Sequence, residues 1–469
     1  MSNKKKKRVY RAPSKDPMKE ITRLNKMLEK IDVVGNVDAS LKKVNQINNK
    51  IIESNTLQVA NNLLEKKAII KSFNNDEVTI ERYTANTKVE IADKPLVIGY
   101  LRDYGGCGHF RMIYPMNMIN SKFSHTGKIN CSLFPTMMYQ DNVIPHVRSF
   151  VFQRPIGEDQ IYKINAYKKY QKDYQYKMIG ELDDYVFEYP EYHPGYENNK
   201  IKQLRTLYVN LSKMDEIIVS TDNLKNELVE LGLTNKITVI KNYLPKHLYE
   251  TDVKRYRLQE IKKPKIAFTG SNFHYNNIKK LEGDFNEHIR DFILDNVENY
   301  DFMFFGDYPY FVKDLVEDGK IVVIPFTNPV EYAANLRKYR IDFIIAPLAE
   351  NVFNSCKSDL RYLESAAIGA LFIGSKFTNK LTSPYQKNKI TFTKNTTKEQ
   401  IKELIESYSK NLELFNKELD LQYQDISGRW LENINNIMEY IEVYTNGIKG
   451  LKLTETHPQY YQFRNFNIK

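Results

Sequence analysis

The chain alternates short apolar runs with longer amphipathic stretches, and this alternation occurs twice. From Pro95 onward six runs predict buried strands: Leu96–Tyr100, Asn130–Phe134, Ser149–Phe152, Lys177–Gly180, Glu216–Ser220 and Ile237–Lys241. Stretches with helical periodicity lie between them, such as Asn199–Leu211 and Asp222–Leu231. Regular alternation of strands and helices is typical of a parallel, doubly wound sheet, so it predicts the α/β class.

A second set of strands begins at Lys265. Five runs predict it: Lys265–Thr269, Phe302–Gly306, Ile321–Pro325, Phe343–Pro347 and Leu371–Gly374. Thr397, followed by Gln400 three residues later, predicts a capping box at the start of a helix. A last long helix is predicted from about Arg429 to Tyr444. A chain of 469 residues suits two domains of this kind, with ligand-binding loops at the carboxyl ends of the strands.

The predicted domain boundaries follow these patterns. They are a basic tail with a helical extension (1–90), a first Rossmann-like domain (91–246), a charged linker (247–264), a second Rossmann-like domain (265–445) and a tail that packs back on the first domain (446–469). In the extension, apolar residues repeat every three or four positions from Ile21 to Ile31. This spacing suits a helical hairpin that packs on its own chain or, less commonly, joins subunits into a homo-oligomer.

Composition limits the cellular setting and the partners. Three scattered cysteines (Cys107, Cys131 and Cys356) argue against a disulfide framework or a structural zinc site. No apolar run reaches the ~20 residues of a membrane helix, and no apolar stretch follows the basic start, so we expect a cytoplasmic protein. The net charge of +11 suits a polyanion or peripheral contact with an anionic membrane, and equally an ordinary solvated surface.

The most informative motif begins at Phe353 and enters a helix that is predicted to run to about Ile368. Lys357, Arg361 and Glu364 stand at positions i, i+4 and i+7 of this segment, which is one helix face. A cation beside the amides of a helix N-terminus forms an anion site, and a carboxylate nearly two turns later can accept bonds from ribose hydroxyls. The same spacing is also typical of a solvated ion pair.

The run "IIAPLAENVFNSCKSDLRYLESAAIGALFIGS" resembles the donor-site signature of "group 1" retaining glycosyltransferases, which have two Rossmann-like domains (the GT-B fold). The family has members in surface-polysaccharide clusters and in bacteriophages. The resemblance implies that Lys357 and Ser358 hold the donor diphosphate, Glu364 binds the ribose and Asn354 lies near the sugar. Cys356 stands where the wider family often has a second Glu, and Leu371 replaces a usual proline.

The strand at Lys265 leads into a loop, "TGSNFHYNN", that resembles the family's GS-x-x-H loop. The resemblance adds Gly270, Ser271 and His274 to the donor-binding residues. Glycine lets a backbone approach phosphates closely, and loop amides can surround an anion.

Two segments of the first half supply candidate residues for the cleft and the acceptor. Gly105, Gly106, Gly108, His109 and Arg111 follow the first strand, in a pattern similar to the family's CG-x-x-R. We expect this loop to admit a phosphate or an acceptor; His109 and Arg111 either line the cleft or cap a helix.

Asp183 and Asp184 resemble the family's D-x-DD strand end, which faces the cleft. They either orient the acceptor or cap a helix. Their spacing is not that of a metal-binding DxD motif, so no metal is predicted. The candidate catalytic residues are therefore Lys357, Glu364, His109 and Asp184.

Tyrosines and lysines alternate from Tyr162 to Lys177. Tyr167, Tyr170 and Tyr174 recur at helical spacing beside lysines. They either stack on sugars or bases, with the lysines contacting phosphate, or form half-buried packing.

The resemblance implies a retaining transfer of a sugar from a nucleotide-diphosphate donor, with no obligatory cofactor. The expected acceptor is a surface polysaccharide or teichoic-type polymer. Modified bases of bacteriophage DNA are an alternative acceptor, given the basic tail. A nucleotide-sugar epimerase and a non-catalytic nucleotide-sugar-binding protein are rival functions, because one fold hosts many functions.

Overall fold

The computed structural model describes residues 96–445, apart from 125–128, 136, 138–143, 197–199, 251–256, 260 and 387. All of these residues belong to one compact unit, Glu81–Lys469. The predicted N-terminal extension (1–90), its proposed role in oligomerisation and the C-terminal tail (446–469) lie outside the described residues.

The first half is a sheet of six parallel strands. They are β1 (Leu96–Tyr100), β2 (Asn130–Phe134), β3 (Val147–Gln153), β4 (Lys177–Leu182), β5 (Glu216–Val219) and β6 (Lys236–Val239), in the order β2-β1-β3-β4-β5-β6. Its helices are α1 (Gly106–Gly108 and Tyr114–Phe123, joined by a π-helical turn at His109–Ile113), α2 (Glu158–Tyr174), α3 (Lys200–Ser212) and α4 (Asp222–Glu230). A short helix, α5 (Lys246–Tyr249), leads toward the second half.

The second half is also a sheet of six parallel strands. They are β7 (Lys265–Gly270), β8 (Asp301–Gly306), β9 (Val322–Pro325), β10 (Phe343–Ala346), β11 (Leu371–Ser375) and β12 (Thr391–Phe392), in the order β12-β11-β10-β7-β8-β9. Its helices are α6 (Glu287–Asp295), α7 (Lys313–Glu317), α8 (Pro329–Lys338), α9 (Val352–Ser355), α10 (Leu360–Ile368), α11 (Lys398–Ser409), α12 (Leu412–Asp425) and α13 (Ile434–Thr445). Short 3₁₀ turns lie at Ile144–His146, Asn272–His274, Tyr310–Val312 and Ile426–Arg429.

The strands are apolar on both faces because helices cover both sides of each sheet. Phe150, Val151 and Phe152 are consecutive in β3, and all are at most 1% exposed. A strand that alternated polar and apolar residues would place polar groups in one of these two layers. The sequence pattern therefore required two-sided burial, and the predicted fold class, two doubly wound parallel sheets, is confirmed.

Two details differ from the sequence-based expectation, and a third decides between two alternatives. The short strand β12 pairs with β11 and was not predicted. The last helix begins at Ile434 rather than near Arg429, because Trp430 forms a strand-like bridge with Leu244. Of the two alternatives for the tyrosines of α2, Tyr167 agrees with packing: it is 2% exposed, and its ring lies 4.7 Å from that of Phe150.

Helix α13 returns to the first half, packing against β3 and α1. Tyr440, Ile441 and Tyr444 on this helix are at most 1% exposed. The chain therefore crosses back within the range predicted for the second domain (265–445). Of the helices that the structure describes, none has both the length and the apolar character needed to span a bilayer.

Candidate active site

Each sheet has a point at which neighbouring strands connect in opposite directions, and the two points face each other. In the first sheet this point lies between β1 and β3, and in the second between β7 and β10. Loops diverge there and leave a crevice at the strand carboxyl ends. A cavity of about 600 Å³ lies between the halves and is lined by loops from both.

Two cations stand on the second-half wall of this cavity. Lys357 precedes α10, with its ammonium 4.5 Å from the centre of the Phe353 ring, and it forms no ion pair with the described residues. Arg361, in the first turn of α10, donates to His274 Nε2 (2.5 Å) and likewise has no carboxylate partner there. The amides of Tyr362 and Leu363 donate to the Asp359 carbonyl, whereas those of Leu360 and Arg361 have no partner among the described residues, and the helix dipole adds positive potential. The wall therefore suits an anion.

The end of β7 is shaped so that Arg361 and His274 can lie against it. Gly270 has a φ of +156°, and a Cβ atom there would lie 2.4 Å from a terminal guanidinium nitrogen of Arg361 and 2.8 Å from the His274 ring. Any larger residue would displace the pair.

His274 is buried and neutral. Burial, with the charges of Arg361 and Lys357, lowers the pKa of His274 to about 3. Its Nδ1 lies 2.5 Å from Asp284 Oδ2. Because an ionised carboxylate only accepts and a guanidinium only donates, Nδ1 carries the proton and Nε2 accepts from Arg361.

Glu364 lies in the cavity wall, about one turn into α10, and is 5% exposed. Tyr249 donates to its Oε1 (3.0 Å) and Tyr332 to its Oε2 (3.2 Å). Burial raises the pKa of Glu364 to about 7, although the two tyrosines and Arg361 oppose this shift. The carboxyl group is therefore an acceptor whose charge depends on pH in the neutral range.

A polar network crosses the floor of the cavity between the halves. Arg111, 1% exposed, pairs with Glu181 (2.7 Å) and donates to Asn242 Oδ1 (2.9 Å). Asn242 in turn donates to Ser358 Oγ (2.8 Å), beside Lys357. Arg429 donates to the Asn242 carbonyl and to both carboxylate oxygens of Asp359, which precedes α10. The start of α10 is thus bonded to the first half.

The first-half wall carries carboxylates around Arg154. This residue has a φ of +40° and donates to both oxygens of Asp183 (2.5 and 2.7 Å) and to Asp184 (3.0 Å). The ligand atoms of Asp183, Asp184 and Cys107 lie within 4.8 Å of one another, a spacing open to a metal ion, but Arg154 contacts all three. Burial and the neighbouring Asp183 raise the pKa of Asp184.

Most residues selected from the sequence line this cavity: Gly105, Gly106, Arg111, Asp183, Asp184, Gly270, Ser271, His274, Lys357, Ser358 and Glu364. Three do not. His109 bonds to the Gly105 carbonyl (2.9 Å) within its own turn, so it stabilises the loop. Gly108 permits close packing, because a Cβ atom there would lie 1.5 Å from the Asp103 carbonyl oxygen. Asn354 is fully buried behind the wall, where it donates to Asp284 (2.6 Å).

Several residues at or behind the wall are not among the site residues predicted from the sequence. Tyr249 lies in the stretch predicted as a linker, and Asp284 is far from any motif. Arg154 directly follows β3, so its place at a strand carboxyl end could have indicated it. The helical spacing places Arg361 on the face of Lys357 and Glu364 but does not by itself predict its contact with His274.

No protein-family model matches the chain, and no curated protein matches it in sequence. Similar solved structures include TarM of S. aureus (11% identity, 64% of this chain and 55% of that chain, TM-score 0.42). They also include OtsA (8% identity, 76% of this chain and 100% of that chain, TM-score 0.48). A third is the pneumococcal O-GlcNAc transferase GtfA in complex with UDP and GlcNAc (13% identity, 64% of this chain and 56% of that chain, TM-score 0.41). The chain spans about half the length of TarM and GtfA. Identities of this order carry no information on activity, substrate or partner.

Proposed function

We propose that this chain is a glycosyltransferase that moves a sugar from a nucleotide-diphosphate donor to an acceptor hydroxyl. The observation that carries the proposal is the second-half wall, where Lys357 and Arg361 lie without carboxylate partners among the described residues. Glu364 lies on the same wall, one turn further along α10. The two cations, Lys357 and Arg361, can bind the charged diphosphate, and the Glu364 carboxylate can accept hydrogen bonds from the two ribose hydroxyls.

In the proposed reaction the acceptor oxygen forms a bond to the anomeric carbon while the bond from that carbon to the diphosphate oxygen breaks. Lys357, Arg361 and the amides at the start of α10 stabilise the charge that develops on the leaving diphosphate. The acceptor proton passes to a leaving phosphate oxygen. Attack from the face that the diphosphate leaves would retain the anomeric configuration.

The proposal assigns the acceptor to the first-half wall. Asp103, Asp183 and Asp184 stand there with Arg154 as the cation among them. Carboxylates accept bonds from sugar hydroxyls and repel phosphates. We therefore favour a glycan polymer such as a surface polysaccharide, which enters through its sugar hydroxyls, over the phosphate-bearing acceptors, a teichoic-type polymer and DNA.

A donor screen tests this function. Released nucleoside diphosphate would be measured for several nucleotide sugars with a polysaccharide, a teichoic-type polymer, bacteriophage DNA or no acceptor. We expect release that depends on the glycan, and NMR of the product would show retention. DNA-dependent release would change the acceptor class. An isomerised sugar without acceptor would indicate an epimerase, and binding without turnover a binding protein.

Two variants test the residue roles by calorimetry with nucleoside diphosphates. Lys357→Met keeps the length of the side chain but removes its charge, so we expect affinity to fall by about tenfold or more. Glu364→Ala removes the proposed ribose acceptor, and unchanged affinity would contradict that role. Lys313→Met on exposed α7 is the control for loss of one positive charge.

A further inference from the structure

A segment of the first half reaches into the second half behind the anion site. It lies between β4 and α3, and its central residue is Tyr192, which is 8% exposed. The Tyr192 hydroxyl donates to Asp284 Oδ1 (2.5 Å). It accepts from the side-chain amides of Asn351 (3.1 Å) and Asn354 (2.9 Å). One hydroxyl from the first half thus has three partners in the second.

The second half is shaped to receive this side chain. Gly283 has a φ of +63°, and a Cβ atom there would lie 2.8 Å from the Tyr192 ring and 2.2 Å from the His274 carbonyl oxygen. A larger residue at this position would collide with both neighbours and strain the backbone. The close approach of Tyr192 to the backbone at His274 therefore depends on this glycine.

A stack of rings beside Tyr192 joins the same two segments. The His193 ring lies between Tyr189 (3.9 Å between centroids) and Phe273 (4.7 Å). Phe273 belongs to the 3₁₀ turn that ends at His274. Burial, with the charges of Lys357 and Arg154, lowers the pKa of His193 to about 3, so the stacked ring is neutral. The segment thus contacts the loop of His274 at two neighbouring positions.

Asp284 connects Tyr192 to His274. One carboxylate oxygen accepts from Tyr192, Asn354 and the Ala349 amide, and the other from His274 Nδ1. Burial raises the pKa of Asp284, but the bond from His274 and the charge of Lys357 outweigh burial and hold this pKa below its usual value. The charged Asp284 fixes the tautomer of His274, whose Nε2 then accepts from Arg361.

We propose that Tyr192 is a positioning residue: through Asp284 and His274 it fixes the guanidinium of Arg361 at the anion site. This inference rests on the proposed sugar transfer. If Tyr192 has this role, the donor site in the second half is complete only when the first half is packed against it. The contribution is geometric, because Tyr192 does not line the cavity. Small displacements of a group that stabilises developing charge lower the rate strongly.

The test replaces Tyr192 by phenylalanine, which removes the hydroxyl and keeps the ring. We expect kcat/KM for the nucleotide sugar to fall by about tenfold, with a lower kcat and a higher KM, because Arg361 contacts the diphosphate both before and during the transfer. The matched control is Tyr208→Phe, which removes another buried first-half tyrosine hydroxyl, bonded to the Gly232 carbonyl (3.2 Å) and distant from the cavity. The control should retain the kcat/KM of the unaltered protein.

A second readout needs no activity. In protein labelled with ¹⁵N-histidine, the Nδ1–H resonance of His274 reports its bond to Asp284. Tyr192→Phe should shift this resonance, and Tyr208→Phe should not. Asp284→Asn removes the carboxylate that His274 Nδ1 contacts, so it gives the shift expected when this bond is lost completely, against which the shift in Tyr192→Phe is compared. A resonance unchanged in the folded variant overturns the inference, even where kcat/KM falls, because the effect would then bypass His274.

These readouts separate the two proposals. If no nucleotide sugar supports transfer, the proposed function fails, yet the His274 resonance still decides whether Tyr192 acts on this histidine. If transfer occurs and Tyr192→Phe matches the unaltered protein in kcat/KM and in the resonance, the positioning role is wrong and the proposed function stands.

Discussion

At the scale of single residues, Glu364 shows how burial sets the properties of the site. Its carboxyl group is 5% exposed, and the two tyrosines that donate to it compensate only part of the cost of burying a charge. Its pKa is therefore raised to about 7. A carboxylate that binds ribose in this place would lose its charge in mildly acidic solution.

The substitution Glu364→Gln tests this burial. Native Glu364 holds its proton up to pH ~7, whereas the unfolded chain releases it near the ordinary value of 4.5. The native state therefore binds more protons between these values, and the free energy of unfolding contributed by this group falls as the pH rises through this window. Gln does not titrate and has no such loss. Above pH 7 the free energy of unfolding of the variant should therefore exceed that of the unaltered protein by up to about 3 kcal/mol.

Urea unfolding of both proteins without nucleotide, at pH 5 and pH 8, measures the difference. At pH 5 the two should be closely similar, because a protonated Glu364 is neutral like Gln. Glu403→Gln, on the exposed face of α11, is the control that should show no such pH dependence. A difference that is the same at both pH values would contradict the raised pKa.

At the scale of elements, the anion site is built by backbone shape as much as by charge. The end of β7 meets the start of α10 at Gly270, where a Cβ atom would overlap the Arg361 guanidinium. The neighbouring Gly306 has a φ of +112°, and a Cβ atom there would lie 2.3 Å from the Gly270 carbonyl oxygen. Gly270 thus leaves room for the Arg361–His274 pair, and Gly306 leaves room for the Gly270 carbonyl.

The substitution Gly270→Ala should displace this pair and weaken the binding of a nucleoside diphosphate by about tenfold or more, as measured by calorimetry. Gly319→Ala is the matched control, because Gly319 also has a positive φ (+71°) but no atom lies within 4 Å of an added Cβ. Both variants carry backbone strain of about 1 kcal/mol or more, so both should lose stability. Equal affinities in the two variants would contradict the proposed role of the glycine.

At the scale of the whole molecule, the two halves share one apolar core. The buried cluster extends from Val97 and Ile179 in the first sheet to Ala267 and Ile344 in the second. Helix α13 belongs to the first half by packing and follows the second half in sequence. The first sheet is therefore fully covered only when α13, which follows both sheets in the sequence, packs on it.

Ile441→Ala tests this arrangement. Ile441 is fully buried on α13, and truncation of a core isoleucine costs about 3 kcal/mol. Hydrogen exchange should show protection falling first in β3, which α13 covers, although the substitution lies near the end of the chain. Ile405→Ala, equally buried on α11, should instead act on the second half. The same loss of protection in both halves for both variants would indicate a single cooperative unit.

The sequence by itself determined the strands and the class of fold. Apolar runs such as Phe343–Pro347 could only be buried on both faces, and Thr397 with Gln400 forms the predicted capping box. It also determined the second-half wall, because Lys357, Ser358 and Glu364 lie within eight residues and local structure alone brings them together. The helical spacing of these residues was enough to predict that they share one wall, because they are close together in the sequence.

Only the tertiary structure decided the partners of these residues. Tyr249 contacts Glu364 from 115 positions away along the chain, and Tyr192 contacts Asn354, behind the wall, from 162 positions away. It also decided that His109 and Asn354 stabilise loops behind the wall instead of facing the cavity. A single sequence specifies which side chains are available. Which of them meet depends on the docking of two sheets, and no periodicity within either sheet encodes that docking.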